Sequence, residues 1–103
     1  MQGFNKLKEL LNQQNPQSHS FEIGKNYFVR TATYHHVGRL IQITEADIVL
    51  ENALWIADSG RFHDALKTGK LEEVEPFVNP VIINRSSIID ATIWDHNLPK
   101  EQK

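Results

Sequence analysis

Residues 37–57 constrain the fold more than any other stretch of this sequence. Side chains alternate in the first half of the stretch, and apolar residues resume at Ile48 and Leu50 after a polar connection at residues 44–47. An alternation of period two is typical of a β-strand, and a connection of this length suits a tight antiparallel hairpin. The stretch therefore predicts two consecutive strands that the remaining elements must extend or cover.

A second hairpin is predicted at residues 81–94, where the apolar run Val-Ile-Ile precedes a polar break at residues 84–87 and a further apolar run ends at Trp94. Residues 71–78 predict an edge strand broken by Pro76, because proline in a central strand would remove a ladder hydrogen bond. The C-terminal half therefore predicts three short strands.

Residues 25–34 predict one more strand, because they are rich in β-branched and aromatic side chains. In this strand Arg30 and Tyr34 would share one face. The adjacent His35 and His36 would lie in the connection to the next strand, so that the two strands form a hairpin.

Two short helices are predicted outside these strands. Apolar residues at helical spacing mark residues 4–13, and a polar linker follows as far as residue 20. Residues 60–68 repeat that spacing, with Asp58 or Ser59 placed to cap the first turn and Gly69 to cap the last. We therefore predict an N-terminal helix and linker at residues 1–20, a strand-rich domain at residues 21–97 that contains the inserted helix, and a polar tail at residues 98–103.

Length and charge narrow the fold and the ligand class. The chain has 103 residues, 11 basic and 13 acidic side chains, a net charge of −2 and no cysteine. A helix followed by five or six short antiparallel strands predicts a small, strongly bent barrel, and a core of this size gains from oligomerisation.

No apolar run resembles a signal peptide or a membrane span, so we expect a cytoplasmic protein. The near-neutral charge argues against binding a long nucleic-acid backbone, whereas a small anion needs only one or two arginines.

Two motifs follow the pattern of a known family. Residues 38–40 read Gly-Arg-Leu, a polar turn follows, and residues 49–53 read Val-Leu-Glu-Asn-Ala; residues 82–89 then place Asn-Arg-Ser-Ser between two apolar pairs. In this order they resemble the two motifs of the Sm and Sm-like (Hfq-type) family. The resemblance covers residues 1–56 and 81–94. It implies a five-stranded barrel preceded by a helix, and a ring in which the fourth strand of one subunit pairs with the fifth strand of the next.

The chain departs from that family at several positions. Thr44 and Ile48 stand near the places where the family has an Asp and a base-clamping Asn, and Ser86 replaces the glycine of the second motif. The helix at residues 60–68 is an insertion. These departures argue against the usual mode of RNA base recognition, while a small barrel remains the expected fold.

A second resemblance involves other residues. The segment at residues 55–62, Trp-Ile-Ala-Asp-Ser-Gly-Arg-Phe, is followed by Val-Glu-Pro at residues 74–76 and by the stretch around Arg85. Together they are similar to a small uncharacterised domain family encoded by bacteriophages and prophages, over about residues 25–99. This resemblance transfers no chemistry. It implies a phage setting, in which small β-rich oligomers sequester nucleotide second messengers of host defence.

Three places along the sequence are candidates for holding an anionic ligand. Ser59, Gly60 and Arg61 stand at a helix start, where backbone N–H groups and an arginine favour phosphate, although an ordinary capped helix has the same sequence. The turn at residues 84–87 would line the pore of an Sm-type ring, or would be a plain hairpin loop. Arg30 beside Tyr34 would offer charge and stacking to a base, or an ion pair with a glutamate at residues 72–75.

Other chemistry is less well supported by the spacing of the residues. The chain has five histidines, but no metal-ligand spacing, and adjacent histidines on a strand point to opposite faces. Trp55 and Trp94 end apolar strands and favour core or interface roles. A hydrolase built from Asp58, Ser59 and His63, or from Asp90, Asp95 and His96, is a minority hypothesis, since neither set has a recognisable catalytic pattern.

Two classes of function fit these observations. In the first, a non-enzymatic homo-oligomer without a cofactor sequesters a nucleotide-type ligand such as a cyclic oligonucleotide. In the second, the domain is an RNA-binding or protein-interaction module, or a minor virion component. Isolated arginines, rather than a basic face, favour the first. The predicted ligand-binding residues are Arg85, Ser86, Ser87, Arg61, Ser59, Gly60, Arg30 and Tyr34.

Overall fold

The computed structural model describes residues 19–103, so the predicted helix at residues 4–13 lies outside the described residues. Six strands, one helix and one 3-10 turn make up the described part. In chain order they are β1 (Asn26–Thr31), β2 (His35–Ile43), β3 (Asp47–Asp58), α1 (Phe62–Thr68), β4 (Glu73–Pro76), β5 (Val81–Asn84), the 3-10 turn (Arg85–Ser87) and β6 (Ile88–Ile93). No helix of this part is long and apolar enough to cross a membrane.

All six strands form one antiparallel sheet. The order is β4-β3-β2-β1-β6, and β5 pairs with the first part of β3 while β4 pairs with the second part. The predicted closed barrel is therefore wrong: the sheet is open. Closure would need hydrogen bonds between β5 and β6, but in the described part β5 pairs with β3 and β6 pairs with β1.

The central hairpin of β2 and β3 is confirmed, and Thr44 explains how its turn forms without a glycine. The Thr44 hydroxyl accepts hydrogen bonds from the backbone N–H groups of Ala46 at 3.2 Å and Asp47 at 3.0 Å. The Thr44 backbone N–H donates to the Asp47 carbonyl at 2.9 Å. A threonine side chain that bonds to its own turn stabilises the reversal without a left-handed residue.

A bulge bends this hairpin in the middle. Val37 pairs with Leu54 and Arg39 pairs with Glu51, so two residues of β3 lie opposite Gly38 alone. One of the two is Asn52, whose φ of 50° lies in the left-handed region. An extra residue in one strand of an antiparallel pair increases its local bend and twist. The two parts of β3 therefore present their outer edges to different strands.

The bend allows the sheet to bury apolar side chains on both faces. The first cluster, covered by α1 and the C-terminal segment, contains Phe28, Val37, Leu54, Ile56, Ala65, Leu71, Val74 and Trp94. The second cluster contains Tyr27, Val29, Leu40, Ile48, Leu50, Ala53 and Ile83. Neighbouring β1 residues belong to different clusters, as the period-two alternation predicts.

Several boundaries differ from the sequence prediction. β1 ends at Thr31, because its hydroxyl and its N–H both donate to the Tyr34 carbonyl at 2.8 Å and close a tight turn. Consequently His35 and His36 lie within β2 and not in the connection before it. β4 is shorter than the predicted strand at residues 71–78 and ends at Pro76.

The C-terminal segment also differs from the predicted polar tail. Leu98 packs against the first cluster. The backbone of Lys103 exchanges two hydrogen bonds of 3.0 Å with Val74 of β4. This segment therefore covers the outer edge of β4.

The bend at Gly38 gives a stability prediction. A Cβ added at Gly38 would lie 3.0 Å from the Cβ atoms of both Ala53 and Leu50. We expect Gly38→Ala to lower the free energy of unfolding by about 1–3 kcal/mol, and Gly38→Val to lower it further, because buried atoms would overlap more. Urea denaturation measures both; equal stability of wild type and both variants would contradict the close approach.

Candidate functional site

Arg85 lies in the 3-10 turn between β5 and β6, and hydrogen bonds hold the turn in place. Its backbone N–H and its Nη1 group each donate at 2.7 Å, to the carbonyls of Ala46 and Thr44. The Asn84 carboxamide oxygen accepts from the Ser86 N–H at 3.0 Å and from the Ser86 hydroxyl, and the Ser87 hydroxyl donates to the Asn84 carbonyl at 2.7 Å. Arg85 borders an open pocket of about 570 Å³ that also contains His19 and Glu45.

The segment before α1 does not form the predicted capped helix start. Arg61 is the N-cap residue and makes no side-chain capping bond. Asp58 instead accepts from the Gly60 N–H at 2.7 Å, and the Ser59 hydroxyl donates to the Gly60 carbonyl at 3.1 Å. The predicted C-cap is confirmed, since Gly69 has a φ of 77° and its N–H donates to Ala65. Ser59 and Gly60 thus precede the helix as a separate turn.

Arg30 joins three elements. Its Nε donates to Asp90 Oδ1 at 2.7 Å, and its Nη2 donates to the second carboxylate oxygen, so β1 and β6 share a bidentate ion pair. The guanidinium also lies 4.8 Å from the centre of the Phe62 ring on α1. The hydrogen bonds from Arg30 lower the pKa of Asp90. Arg30 forms the ion pair that the sequence suggested as its alternative role, but with Asp90 and not with a glutamate of residues 72–75.

Tyr34 has different neighbours from Arg30. Because β1 ends at Thr31, Tyr34 lies in the turn, and its ring contacts the Trp55 ring edge-on at a centroid distance of 6.1 Å. Trp55 and Tyr34 belong to an open, mainly apolar depression of about 420 Å³, which we call the aromatic groove. Its lining residues are Tyr34, His36, Trp55, Glu75, Pro76 and Phe77.

His36 forms an uncharged part of the aromatic groove. Its ring lies 5.8 Å from the Phe77 ring, and its Nδ1 is a buried side-chain nitrogen without a hydrogen-bond partner in the described part of the chain. Burial lowers the pKa of His36, and the charge of the neighbouring His35 lowers it further. The imidazole therefore stays neutral at physiological pH and contributes an aromatic surface without a charge.

A larger depression of about 880 Å³ shares Pro76 and Phe77 with the aromatic groove and has a mixed polar and apolar lining. Three carboxamides and two cations line it together with Ala53, Pro76, Phe77, Leu98 and Pro99. The polar residues are Asn26, Asn52, Asn97, Arg39 and Lys100, and we call the depression the asparagine pocket.

Arg39 is held at the rim of the asparagine pocket by its cross-strand partner. Its Nη1 donates to Glu51 Oε1, and the two residues are paired in the register of β2 and β3. Arg39 therefore has a cross-strand role, which a place inside a regular strand favours. Asn52, which lines the same pocket, is the bulge residue with positive φ. Asn52 is therefore a candidate functional residue, since such backbone strain is often found at binding sites.

The structure does not gather the predicted ligand residues into one site. Arg85, the turn before α1, and Arg30 have separate sets of partners, whereas the asparagine pocket and the aromatic groove share Pro76 and Phe77. The sequence analysis missed the asparagine pocket, because its residues come from β1, β2, β3 and the C-terminal segment. The signal that could have indicated the pocket is Asn52, an asparagine inside a strand that is otherwise mainly apolar.

Two further observations bear on chemistry. Within residues 19–103 no group of three His, Cys, Asp or Glu side chains is arranged to hold a metal ion. Comparisons of the chain with protein-family models, with curated proteins and with solved structures find no match in any of the three. The geometry of the two neighbouring depressions is therefore the main basis for a functional proposal.

The lowered pKa of His36 predicts a pH dependence of stability. The unfolded chain protonates His36 near its ordinary pKa of 6.5, whereas the folded chain resists protonation. The stability contributed by neutral His36 is complete above that value and is lost as the pH falls below it. We expect the free energy of unfolding to fall more steeply between about pH 8 and about pH 5 in wild type than in His36→Gln. His63→Gln, which changes an exposed histidine of α1, is the control; equal slopes in wild type and His36→Gln would contradict the prediction.

Proposed function

We propose that this protein binds a nucleotide-type ligand in the asparagine pocket and retains it without chemical change. The observation that carries the proposal is the pairing, in one depression of about 880 Å³, of two cationic side chains with three carboxamides beside the Phe77 ring. A nucleotide combines an anionic phosphate, a planar base and polar base edges. Each of these parts has a complementary group among the lining residues.

The cations suit the phosphate end of such a ligand. Arginine binds phosphate through parallel N–H donors, and lysine acts as a mobile point charge. Glu51 neutralises part of the Arg39 charge but contacts it at an exposed pair, which contributes only about 0–1 kcal/mol to stability. A phosphate can therefore compete for the guanidinium at little cost to the fold.

The carboxamides suit the base end. An asparagine side chain presents a donor and an acceptor side by side, which matches the edge of a purine or pyrimidine. Phe77 is 41% exposed, so its ring is accessible for stacking. The combination favours a mononucleotide or short oligonucleotide over a long polymer, in line with the net charge of −2.

Variants of Lys100 and Lys67 distinguish binding in the asparagine pocket from general electrostatic attraction between the protein and an anion. We expect Lys100→Ala to weaken binding of nucleoside monophosphates roughly ten- to a hundredfold, the effect of one charge-assisted hydrogen bond. Lys67→Ala, an exposed lysine in the last turn of α1, should leave the affinity unchanged. Isothermal titration calorimetry measures both, and Arg39→Ala should resemble Lys100→Ala.

Arg85→Ala tests the site that the sequence predicts at the turn between β5 and β6. If the ligand lies beside the 3-10 turn, Arg85→Ala weakens binding and Lys100→Ala does not, and the asparagine pocket is rejected as the site. Binding of single-stranded oligoribonucleotides without binding of any mononucleotide would favour the RNA-binding alternative. Recovery of the nucleotide unchanged after incubation with the protein is expected of a sequestering protein and excludes hydrolysis.

We further propose that copies of the chain assemble into a ring through the edges of the open sheet. β5 and β6 lie at opposite edges, and their exposed side chains include Ile82, Ile89 and Ile93. The C-terminal segment covers the edge of β4 and leaves β5 as the partner for β6 of a second copy. Pairing would protect two edges that otherwise invite uncontrolled aggregation.

A charge on β6 should disrupt this assembly. We expect Ile89→Lys, at a residue 64% exposed on the β6 edge strand, to give a smaller particle than wild type in light scattering. Val78→Lys is the control, because Val78 is 98% exposed and lies outside the strands. A wild-type particle of 11.9 kDa, the mass of one chain, would contradict the assembly.

A phage setting gives such a protein a physiological role. The resemblance of residues 25–99 to phage-encoded domains supports the removal of a nucleotide signal of host defence from solution. A sequestering protein acts by occupancy, so its effect depends on the number of sites and on the affinity, and it requires no catalytic group.

A further inference from the structure

We infer that the aromatic groove receives the base of the bound nucleotide, and that Glu75 selects a guanine-type ring with two adjacent N–H donors. The inference rests on the proposed function, because it concerns the same ligand, and it moves the base from the carboxamides of the asparagine pocket to the groove beside them. It identifies a binding surface and a specificity-determining residue that the sequence did not reveal.

The strand register places Glu75 beside the ring on which a base would stack. Trp55 of β3 lies opposite His36 of β2 on one side and opposite Glu75 of β4 on the other. Side chains that face each other across antiparallel strands lie on the same face, with Cβ atoms about 5 Å apart. A planar ring on Trp55 therefore has one edge within reach of the Glu75 carboxylate.

The walls of the groove provide an aromatic surface of low charge. Tyr34 and Phe77 are 54% and 41% exposed, and the His36 ring is kept neutral by its burial. Base stacking on such rings strengthens binding and is tolerant of base identity. Stacking alone thus explains affinity for a base but not a preference among bases.

The neighbouring asparagine pocket fixes the orientation of the ligand. Pro76 and Phe77 line both depressions, so a ligand that crosses this wall has one end in each. Glu75 is the acidic residue that lines the groove, whereas Arg39 and Lys100 line the pocket. A phosphate is repelled by the carboxylate and attracted by the two cations, which places the base in the groove.

Carboxylate chemistry then discriminates among bases. An ionised carboxylate only accepts hydrogen bonds, and guanine presents N1–H and the 2-amino group side by side as two donors. Adenine and cytosine present an amino group next to a ring nitrogen that is itself an acceptor, which would face the second carboxylate oxygen. Gln102 Nε2 donates to Glu75 Oε1 at 3.1 Å. A carboxylate has about four acceptor positions, so Glu75 can still accept hydrogen bonds from a base.

The test compares four nucleotides on wild type and two glutamate variants by calorimetry. Wild type should bind GMP roughly ten- to a hundredfold more tightly than AMP or CMP, and IMP, which lacks the 2-amino group, should be intermediate. Glu75→Gln should weaken GMP binding by a similar factor and should not weaken AMP binding, because a carboxamide presents a donor beside an acceptor. Glu73→Gln, an exposed glutamate two residues away on β4, should retain the wild-type preference.

Trp55 provides a second, independent measurement. Trp94 is buried, so quenching of fluorescence by GMP should come from Trp55. Trp55→Phe should retain the order of the nucleotides, and Trp55→Ala should weaken all of them. Thermal unfolding of each variant without ligand confirms that it folds.

The outcomes separate this inference from the proposed function. Equal affinities for GMP and AMP in wild type and in Glu75→Gln would overturn the assignment of Glu75 and leave the asparagine pocket as a nucleotide site. Absence of binding for all four nucleotides would reject both. If tetramethylammonium reverses the quenching of Trp55 fluorescence by GMP, the groove holds an organic cation and the inference is overturned.

Discussion

The close approach of β2 and β3 at Gly38 is the constraint on which the rest of the structure depends. A Cβ at Gly38 would lie 3.0 Å from Leu50 and from Ala53, closer than ordinary van der Waals contact, so a larger side chain there would push the two strands apart. The strands can therefore bend sharply, and the extra residue Asn52 is accommodated opposite Gly38. A straight hairpin of this length would pair with one further strand on its outer side. The bent one pairs with β5 along its first part and β4 along its second, and so brings apolar side chains together on both faces of a single sheet.

The same bend determines where polar groups collect. At the bulge the period-two alternation is interrupted, and Asn52 is exposed at the rim beside Arg39, between the half-buried Glu51 and the buried Ala53. A non-glycine residue with positive φ costs about 1–3 kcal/mol relative to an extended one. The core on either side supplies the stability that maintains this conformation. The asparagine pocket is thus a consequence of how the sheet bends, and Phe77, which follows β4, separates it from the aromatic groove.

Local patterns in the sequence predicted local structure well and long-range pairing poorly. The β2–β3 hairpin, the last two strands and the helix with its glycine cap each follow from side chains near one another in sequence. Barrel closure, the Asp90 partner of Arg30 and the two depressions depend on which distant strands pair, and alternation within one strand carries no information about that. Trp55 illustrates the difference: the sequence placed it at the end of a strand, but its neighbours Tyr34 and Glu75 come from a turn and from β4.

The proposed ligand site and the edges proposed for self-association lie in different parts of the sheet. The aromatic groove lies across β2, β3 and β4, and the edge of β4 is covered by the backbone of Lys103. The open edges belong to β5 and β6, which contribute no residue to the groove or to the asparagine pocket. Because neither depression contains a residue of β5 or β6, pairing of these two edges would leave both depressions of each copy in place. A site at Arg85 would instead lie beside the strands through which copies are proposed to meet. In the first arrangement the number of proposed sites would rise with the number of chains, and pairing of the edges would not change the residues around the ligand.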